Sequence, residues 1–359
     1  MSQAPDLTPR QRMRMALSHQ EPDRIPMFDQ FWDATTERWR QEGLPKGVLP
    51  EDHFRFDMRY FRLGDIGPMY PERTIERNDE YIVEATTYGG IRKNHLDHST
   101  TPELIDYPVK TRGDWEAAKR RLQPSPTRMN WLALKSGYDR ARADDLFTAL
   151  RCAFSYDQCQ NYIRTDELLP LLLTDPVWVR DMVETTADLI IAMAEIVMDA
   201  GYTFDAAYLS GDLGYRNAPL FSPRLYRELF KPADRRVIGF FHAKGMPVIL
   251  HSCGCVRPLI PDLIDAGVDC LEPLEVKAGM DLVELKREYG IDLAFMGGID
   301  VRAMADPDPA AIEHEIRSKV PAAMADGGYI YHSDHSVPTD VSYAQYCRVL
   351  DLVRKLGRY

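Results

Sequence analysis

Hydrophobic and polar positions along this chain fall into two regimes. From Asp145 onward, short apolar runs alternate with longer segments whose apolar residues recur every three to four positions. The short runs, rich in β-branched and aromatic residues, predict strands at Phe147–Cys152, Asp205–Leu209, Val248–Leu250, Val268–Leu274, Leu293–Met296 and Tyr329–Tyr331. The longer segments predict helices from Pro176 to about Ala200, Ser222 to about Lys244, Pro258 to Ala266, Met280 to Tyr289, Pro309 to Asp326 and Tyr343 to Leu356. In the first of these, Met182, Leu189, Met193, Ile196 and Val197 fall on or near one face. The pairs Asp175-Pro176 and Ser222-Pro223 join a capping side chain to a proline suited to the first helical turn.

The first 145 residues are less regular. Thr8 and Pro9 open a predicted helix reaching His19, and Arg24 to Phe28 reads as the first strand. From Asp29 to about Thr111 the chain is rich in Gly and Pro and is read as an irregular insertion or lid. Within it, Asp33–Gln41 suits a helix, and Tyr81–Ala85 with Gly90–His95 suits a hairpin. Gly113–Leu122 is a further helix, and Pro124–Arg128 a turn. Seven strands are thus expected, with an eighth inside the irregular region. Strand–helix alternation of this length implies a parallel sheet with helical crossovers. The expected fold is α/β, a (β/α)8 TIM barrel spanning residues 1–359 as one domain, with residues 29–111 inserted. No G-x-G-x-x-G follows the first strand, which weighs against an open dinucleotide-binding sheet.

Composition narrows the partners. The net charge is −11 without a basic block, which argues against nucleic acid and anionic membrane surfaces. No apolar run approaches the roughly 18 residues of a membrane span, and Met1 to Arg14 carries no signal-peptide core. A cytoplasmic protein is expected. Six cysteines in 359 residues do not make a disulfide framework.

In a (β/α)8 barrel the reacting groups sit at the C-terminal ends of the strands. Those positions gather Asp29 and Trp32, Asp212 and Tyr215, His251 and Cys253, Glu272, Glu275 and Lys277, and finally His332, Asp334 and His335. The run Pro247–Cys255 stands out. It ends a strand in His251-Ser252-Cys253-Gly254, and imidazole with thiolate is the donor pair zinc prefers. His335 or His332 offers a second nitrogen, and Asp212, Glu272 or an exogenous group completes a tetrahedron. Each residue also has a plainer role: Asp212 caps a turn, Lys277 neutralises a glutamate, Cys255 packs under the next helix, and Glu272 is a buried, partnered carboxylate.

Several motifs together resemble the uroporphyrinogen decarboxylase superfamily. They are Thr8-Pro9-Arg10-Gln11-Arg12 with Asp23-Arg24-Ile25-Pro26, and Ser222-Pro223-Arg224-Leu225-Tyr226. They continue with Pro247 to Gly254, Gly297-Gly298-Ile299-Asp300, and Gly327-Gly328-Tyr329-Ile330 leading to Pro338. The resemblance implies a (β/α)8 barrel. The true decarboxylases carry an arginine-rich M-R-Q-A-G-R segment after the first strand. Here Phe28 to Thr35 has no Arg and two Asp, which would repel a polyanionic porphyrinogen. The chain is similar instead to the cobamide-dependent methyltransferases, whose H-x-C-G motif binds zinc through the residues matching His251 and Cys253. Their third ligand, a Cys shortly before a Pro, is matched by His335 ahead of Pro338.

The resemblance implies a zinc-dependent methyltransferase moving a methyl group between a corrinoid and a small thiol or methoxylated compound. His251, Cys253 and His335 would hold zinc. Asp212 and Glu272 would orient substrate or complete the coordination. Trp32, Tyr215 and Tyr331 would wall the ligand, with His332 and Lys277 beside it. The chain has no D-x-H-x-x-G corrinoid-binding pattern, so cobalamin would arrive on a separate protein. A homodimer is compatible with the fold. Two rival readings are a metal-free decarboxylase of a smaller acid, with Asp29 and His335 as acid–base groups, and a non-catalytic corrinoid- or tetrapyrrole-binding protein.

Overall fold

The computed structural model describes residues 7–96 and 102–359. Met1 to Asp6 of the polar N-terminal stretch, and residues 97–101 of the expected insertion, lie outside the described residues. The strands are β1 (Met58–Arg62), β2 (Arg73–Arg77), β3 (Tyr81–Ala85), β4 (Ile91–His95), β5 (Glu103–Asp106), β6 (Phe147–Ala153), β7 (Ala206–Ser210), β8 (Val248–His251), β9 (Cys270–Glu272), β10 (Ala294–Met296) and β11 (Tyr329–Ile330).

Seven of them form one parallel sheet in the order β1-β6-β7-β8-β9-β10-β11. Each step after β6 crosses over through helix, as the alternating pattern requires. The sheet curls, and the architecture is mixed α/β, consistent with a TIM-like fold. The predicted strand Arg24–Phe28 is corrected: this segment makes only isolated bridges, Met27 to Tyr331 and Arg24 to Arg358. Its backbone nevertheless touches both edges of the sheet. Tyr331 N–H donates to Pro26 O at 2.9 Å, and Asp57 N–H donates to Met27 O at 2.8 Å. Pro26 lacks a donor, and after it only Met27 of this segment makes a bridge, too little for a ladder.

Charged pairs pin the N-terminal ends of the strands. Asp57, just before β1, is buried and accepts from Arg12 at 2.9 Å, from Arg24 at 2.8 Å and from Met27 N–H at 2.7 Å. Asp205, just before β7, is met by Arg10 and Arg14. Removing one partner of the buried Arg12–Asp57 pair costs about 3–5 kcal/mol.

The irregular region holds more structure than its composition suggests. β1 is the expected extra strand, and β2 to β5 form a separate antiparallel sheet. The β3–β4 hairpin matches expectation, with Tyr81 opposite His95. Helices at Trp131–Ala143, Tyr156–Gln160 and Thr165–Thr174 have no counterpart in the sequence reading. The long helix expected after Ser222 is interrupted: Pro223–Leu225 leads into a wide turn at Tyr226–Phe230 before Lys231–Ala243. Pro232 has no N–H to give to the carbonyl four residues back, which opens the ladder there. No helix among the described residues is long and apolar enough to cross a membrane.

Candidate active site

Two loops build the centre of the site. The chain leaves β7 into Gly211-Asp212-Leu213-Gly214 and leaves β8 into Ser252-Cys253-Gly254. They are zipped together by Cys255 N–H to Tyr215 O at 2.7 Å and Leu213 N–H to Ser252 Oγ at 2.9 Å. Gly254 has φ +77°, and a Cβ there would lie 2.4 Å from the Gly214 carbonyl carbon. Only a residue without a side chain lets the two backbones approach this closely.

The approach brings three donor side chains together. Asp212 Oδ1, His251 and Cys253 Sγ have ligand atoms within 4.8 Å of one another, the one such group of three among the described residues. His251 Nε2 is 3.6 Å from Cys253 Sγ and 3.6 Å from Asp212 Oδ1. Asp212 Oδ1 also accepts the Cys253 N–H at 2.9 Å, so it caps the loop and faces the donors at once.

Behind His251 lies an orienting carboxylate. Glu272, fully buried at the end of β9, has Oε2 2.5 Å from His251 Nδ1 and accepts from Tyr208 OH at 2.7 Å. Burial disfavours its charge, yet the His251 and His332 rings beside it hold its pKa down to about 2. Burial likewise opposes a charged His251, but Glu272 and Cys253 outweigh it and lift His251 well above the usual range. Burial raises the Cys253 thiol, and the His251 contact only partly reverses this. The arrangement fixes His251 with Nδ1 toward Glu272 and Nε2 toward Cys253 and Asp212.

A second buried layer lies below. His332 Nε2 sits 3.4 Å from Glu272 Oε1 and 3.7 Å from Asp29 Oδ1, while its Nδ1 faces Ser333 O at 2.5 Å. Asp29 is buried and accepts from Ser333 Oγ at 2.6 Å and Tyr346 OH at 2.7 Å. Burial raises its pKa, against the pull of His332 and these donors.

The other sequence-predicted residues separate into rim and interior. Tyr215 is exposed, and Lys277 pairs with Glu275 at 2.8 Å. Both line a 520 Å³ cleft with Cys253. Glu275 Oε2 accepts the Gly254 N–H at 2.6 Å, tying that loop to the next. Tyr331 and His332 are fully buried, which takes them off the cleft wall expected of them. Tyr331 donates instead to Asp29 at 3.3 Å, and packing on both sides of its strand position accounts for the burial. His335 stands outside the group of three and lies against Trp32, with ring centroids 6.2 Å apart. Cys255 packs against the core rather than joining the donors.

Three residues escaped the sequence reading. Tyr208 sits inside an apolar strand and reads as core, yet its hydroxyl orders Glu272. Arg151 sits in β6, where a charge looks like a strand's solvent face. Asp157 opens the short helix after β6, and burial together with Asp212 pushes its pKa up to about 7, against His251 and Arg151. Their only sequence signal is position, since each lies on or just after an inner strand.

Comparison with known proteins bears on the family and the fold. The family model described as Uroporphyrinogen decarboxylase (URO-D) matches residues 161–356. A uroporphyrinogen decarboxylase of Bacillus cereus (strain AH820) is 29% identical over 120 residues, 33% of this chain and 32% of that protein. A methylated-thiol–coenzyme M methyltransferase of Methanosarcina mazei is 24% identical over 201 residues, 51% of this chain and 50% of that protein. The matched stretches thus span a third to a half of these relatives' length. A solved structure, a methyltransferase from Methanosarcina mazei, superposes with a TM-score of 0.69 over 98% of this chain and 99% of that one, at 14% identity. That likeness concerns the fold.

Proposed function

The chain belongs to the uroporphyrinogen decarboxylase family, and we propose that within it the protein is a metal-dependent methyltransferase rather than a porphyrinogen decarboxylase. The observation that carries the reading is the group Asp212, His251 and Cys253 with Glu272 behind the imidazole. Oxygen, nitrogen and sulfur donors converging on one point suit zinc, and a carboxylate on the far ring nitrogen is how metal-bound histidines are held. Three protein donors leave a fourth position for substrate. The methyltransferase relative supports the same branch.

In this reading Asp212, His251 and Cys253 hold zinc. Asp212 takes the place expected of His335, which stays with Trp32 at the rim. A bound zinc ion would supply stabilisation of a substrate thiolate at neutral pH. The chain's own residues do the rest. Glu272 fixes the His251 tautomer, and Tyr208 fixes Glu272. The Asp157 carboxylate, near neutral pKa beside Asp212, takes up the thiol proton. The sulfur then attacks the methyl carbon. The carbon–sulfur bond forms as the carbon–donor bond breaks, and the bonding pair leaves with the donor. A corrinoid on a separate protein is the proposed donor, as the superfamily resemblance suggests.

We read the chain as one domain over residues 1–359, with Pro26–Phe28 in the eighth position of a barrel. Six cysteines without a disulfide suit a reducing cytoplasm.

The test is methyl transfer from methylcobalamin to a small thiol by zinc-loaded protein under anoxic conditions, followed by the visible spectrum of the corrinoid. Loss of the methylcobalamin band with formation of the thioether is expected. A wild-type protein that holds zinc but leaves methylcobalamin intact with a panel of thiols, and leaves cob(I)alamin unmethylated with a panel of aryl methyl ethers, would refute the reading.

A further inference from the structure

We propose that a second cleft, distinct from the one lined by Cys253 and reaching the candidate metal group through Asp157, is a carboxylate-binding subsite formed by Arg62 and Arg151, so that the substrate is a small organic acid. Arg62 and Arg151 are register partners on β1 and β6. Strand alternation puts Arg62 on the same face as Tyr60, two residues earlier, and Tyr60 faces Arg151 across that surface. Both arginines line one cleft of 310 Å³, together with Ser210 and Asp157. That volume suits a small ligand.

The unpartnered charge at this place is that of Arg62, since Arg151 also feels the attraction of Glu272 and Asp157. Arg62 is exposed and has no hydrogen bond or ion pair among the described residues. Arg151 has only neutral hydrogen-bond partners: Nε donates to Ser210 Oγ and Nη1 to Gln30 Oε1, both at 3.1 Å. Neighbouring like charges on adjacent strands destabilise a sheet. Two aspartates line the same cleft, but neither forms an ion pair with these guanidinium groups. Asp65 accepts the Gly67 N–H at 2.7 Å, and Asp157 is attracted by both Arg151 and His251 and repelled by Asp212.

The arrangement around Arg151 is rigid. Its guanidinium carbon lies 4.5 Å from the Tyr60 ring centroid and 5.1 Å from that of Tyr208, and the two rings stack 5.8 Å apart. Aromatic faces fix the plane of the guanidinium without consuming its N–H groups. A planar fork held this way is matched by a carboxylate, which takes two parallel hydrogen bonds. Tyr208 also lies against His251, with ring centroids 6.3 Å apart. One ring therefore separates the arginine fork from the donor group. In the proposal the acid's carboxylate sits on Arg62 and Arg151 and its reacting atom extends past Asp157 toward the donor group.

The subsite rests on residues other than the metal donors. It deepens the methyl-transfer reading by naming the substrate class, and the two can fail separately. Ligand-observed NMR would give dissociation constants for benzoate and benzyl alcohol with the full chain, metal-free and zinc-loaded. Benzoate is expected to bind about tenfold more tightly than benzyl alcohol, with the preference lost in Arg62→Gln and Arg151→Gln. Arg62 has no partner to strand and faces a like charge across the ladder, so Arg62→Gln is expected to melt no lower than wild type. Cys253→Ser is expected to lose zinc and keep the benzoate preference. Equal binding of the two probes, or a preference that survives Arg62→Gln, would overturn the subsite whatever the metal content. Zinc retained in Cys253→Ser, with benzoate binding still dependent on Arg62, would overturn the metal reading and leave the subsite standing.

Discussion

Replacing Glu272 by Gln isolates what the buried carboxylate does for the metal site. Glu272 Oε2 receives both Tyr208 OH at 2.7 Å and His251 Nδ1 at 2.5 Å. One amide oxygen can receive both bonds, so Gln keeps the shape and the orientation of His251 while removing the charge. The lost charge is what makes the imidazole a better donor at Nε2. Outer carboxylates of this kind are worth about 10–100-fold in metal affinity, or about 1.4–2.7 kcal/mol. The opposite oxygen, Oε1, lies 3.4 Å from His332 Nε2, so the variant also removes an attraction in the buried layer. Zinc affinity would be measured by competition with a chromophoric chelator, beside circular dichroism and thermal unfolding. A drop of one to two orders of magnitude in zinc affinity, with the far-UV spectrum unchanged, is expected. Glu272→Ala should lose more, because it leaves Tyr208 and His251 without an acceptor. Zinc affinity unchanged in Glu272→Gln would refute the orienting role.

Two further outcomes follow from the geometry. Gly254→Ala forces a Cβ to within 2.4 Å of the Gly214 backbone. The loops carrying Asp212 and Cys253 should part, with zinc affinity falling at least about tenfold and the melting temperature dropping; a variant with wild-type zinc binding would contradict the close approach. Asp234 is buried and bonded to Ser155 Oγ at 3.1 Å, and burial raises its pKa to about 8. The folded state then binds more protons than the unfolded state between about pH 4 and 8, so this group's contribution becomes less favourable as pH rises through that window. Asp234→Asn should therefore gain stability relative to wild type, on the order of a few kcal/mol at pH 8 and little at pH 5. Thermal scans at the two pH values check the sign, and an equal shift at both would contradict it.

The fold's second half was legible because its strands are short apolar runs bounded by Gly, Pro and capping residues. Val248–Leu250 and Tyr343–Leu356 need no tertiary help to be seen. β1 was hidden because Arg59 and Arg62 interrupt its apolar pattern: Arg59 is met by Asp52 from the preceding short helix, and Arg62 is exposed. The Arg24–Phe28 segment looked like a strand because its composition is apolar. Its brevity as a ladder depends on how far the β11 and β1 edges overlap it. At the site, His251 and Cys253 were legible from two-residue spacing at a strand end. Asp212 as their neighbour depends on the Gly214–Gly254 contact, between residues 40 positions apart. Tyr331 and His332 were misplaced because the whole run from Tyr331 to Asp334 is buried, which the period-two alternation of a strand end does not foresee.

Metal content of the purified full chain, by elemental mass spectrometry beside Cys253→Ser, tests the central claim most directly. About one zinc per wild-type chain and a marked loss in the variant are expected. Wild-type protein that stays free of zinc after loading and desalting, or a variant that retains it, would contradict the assignment of Asp212, His251 and Cys253 as a metal centre.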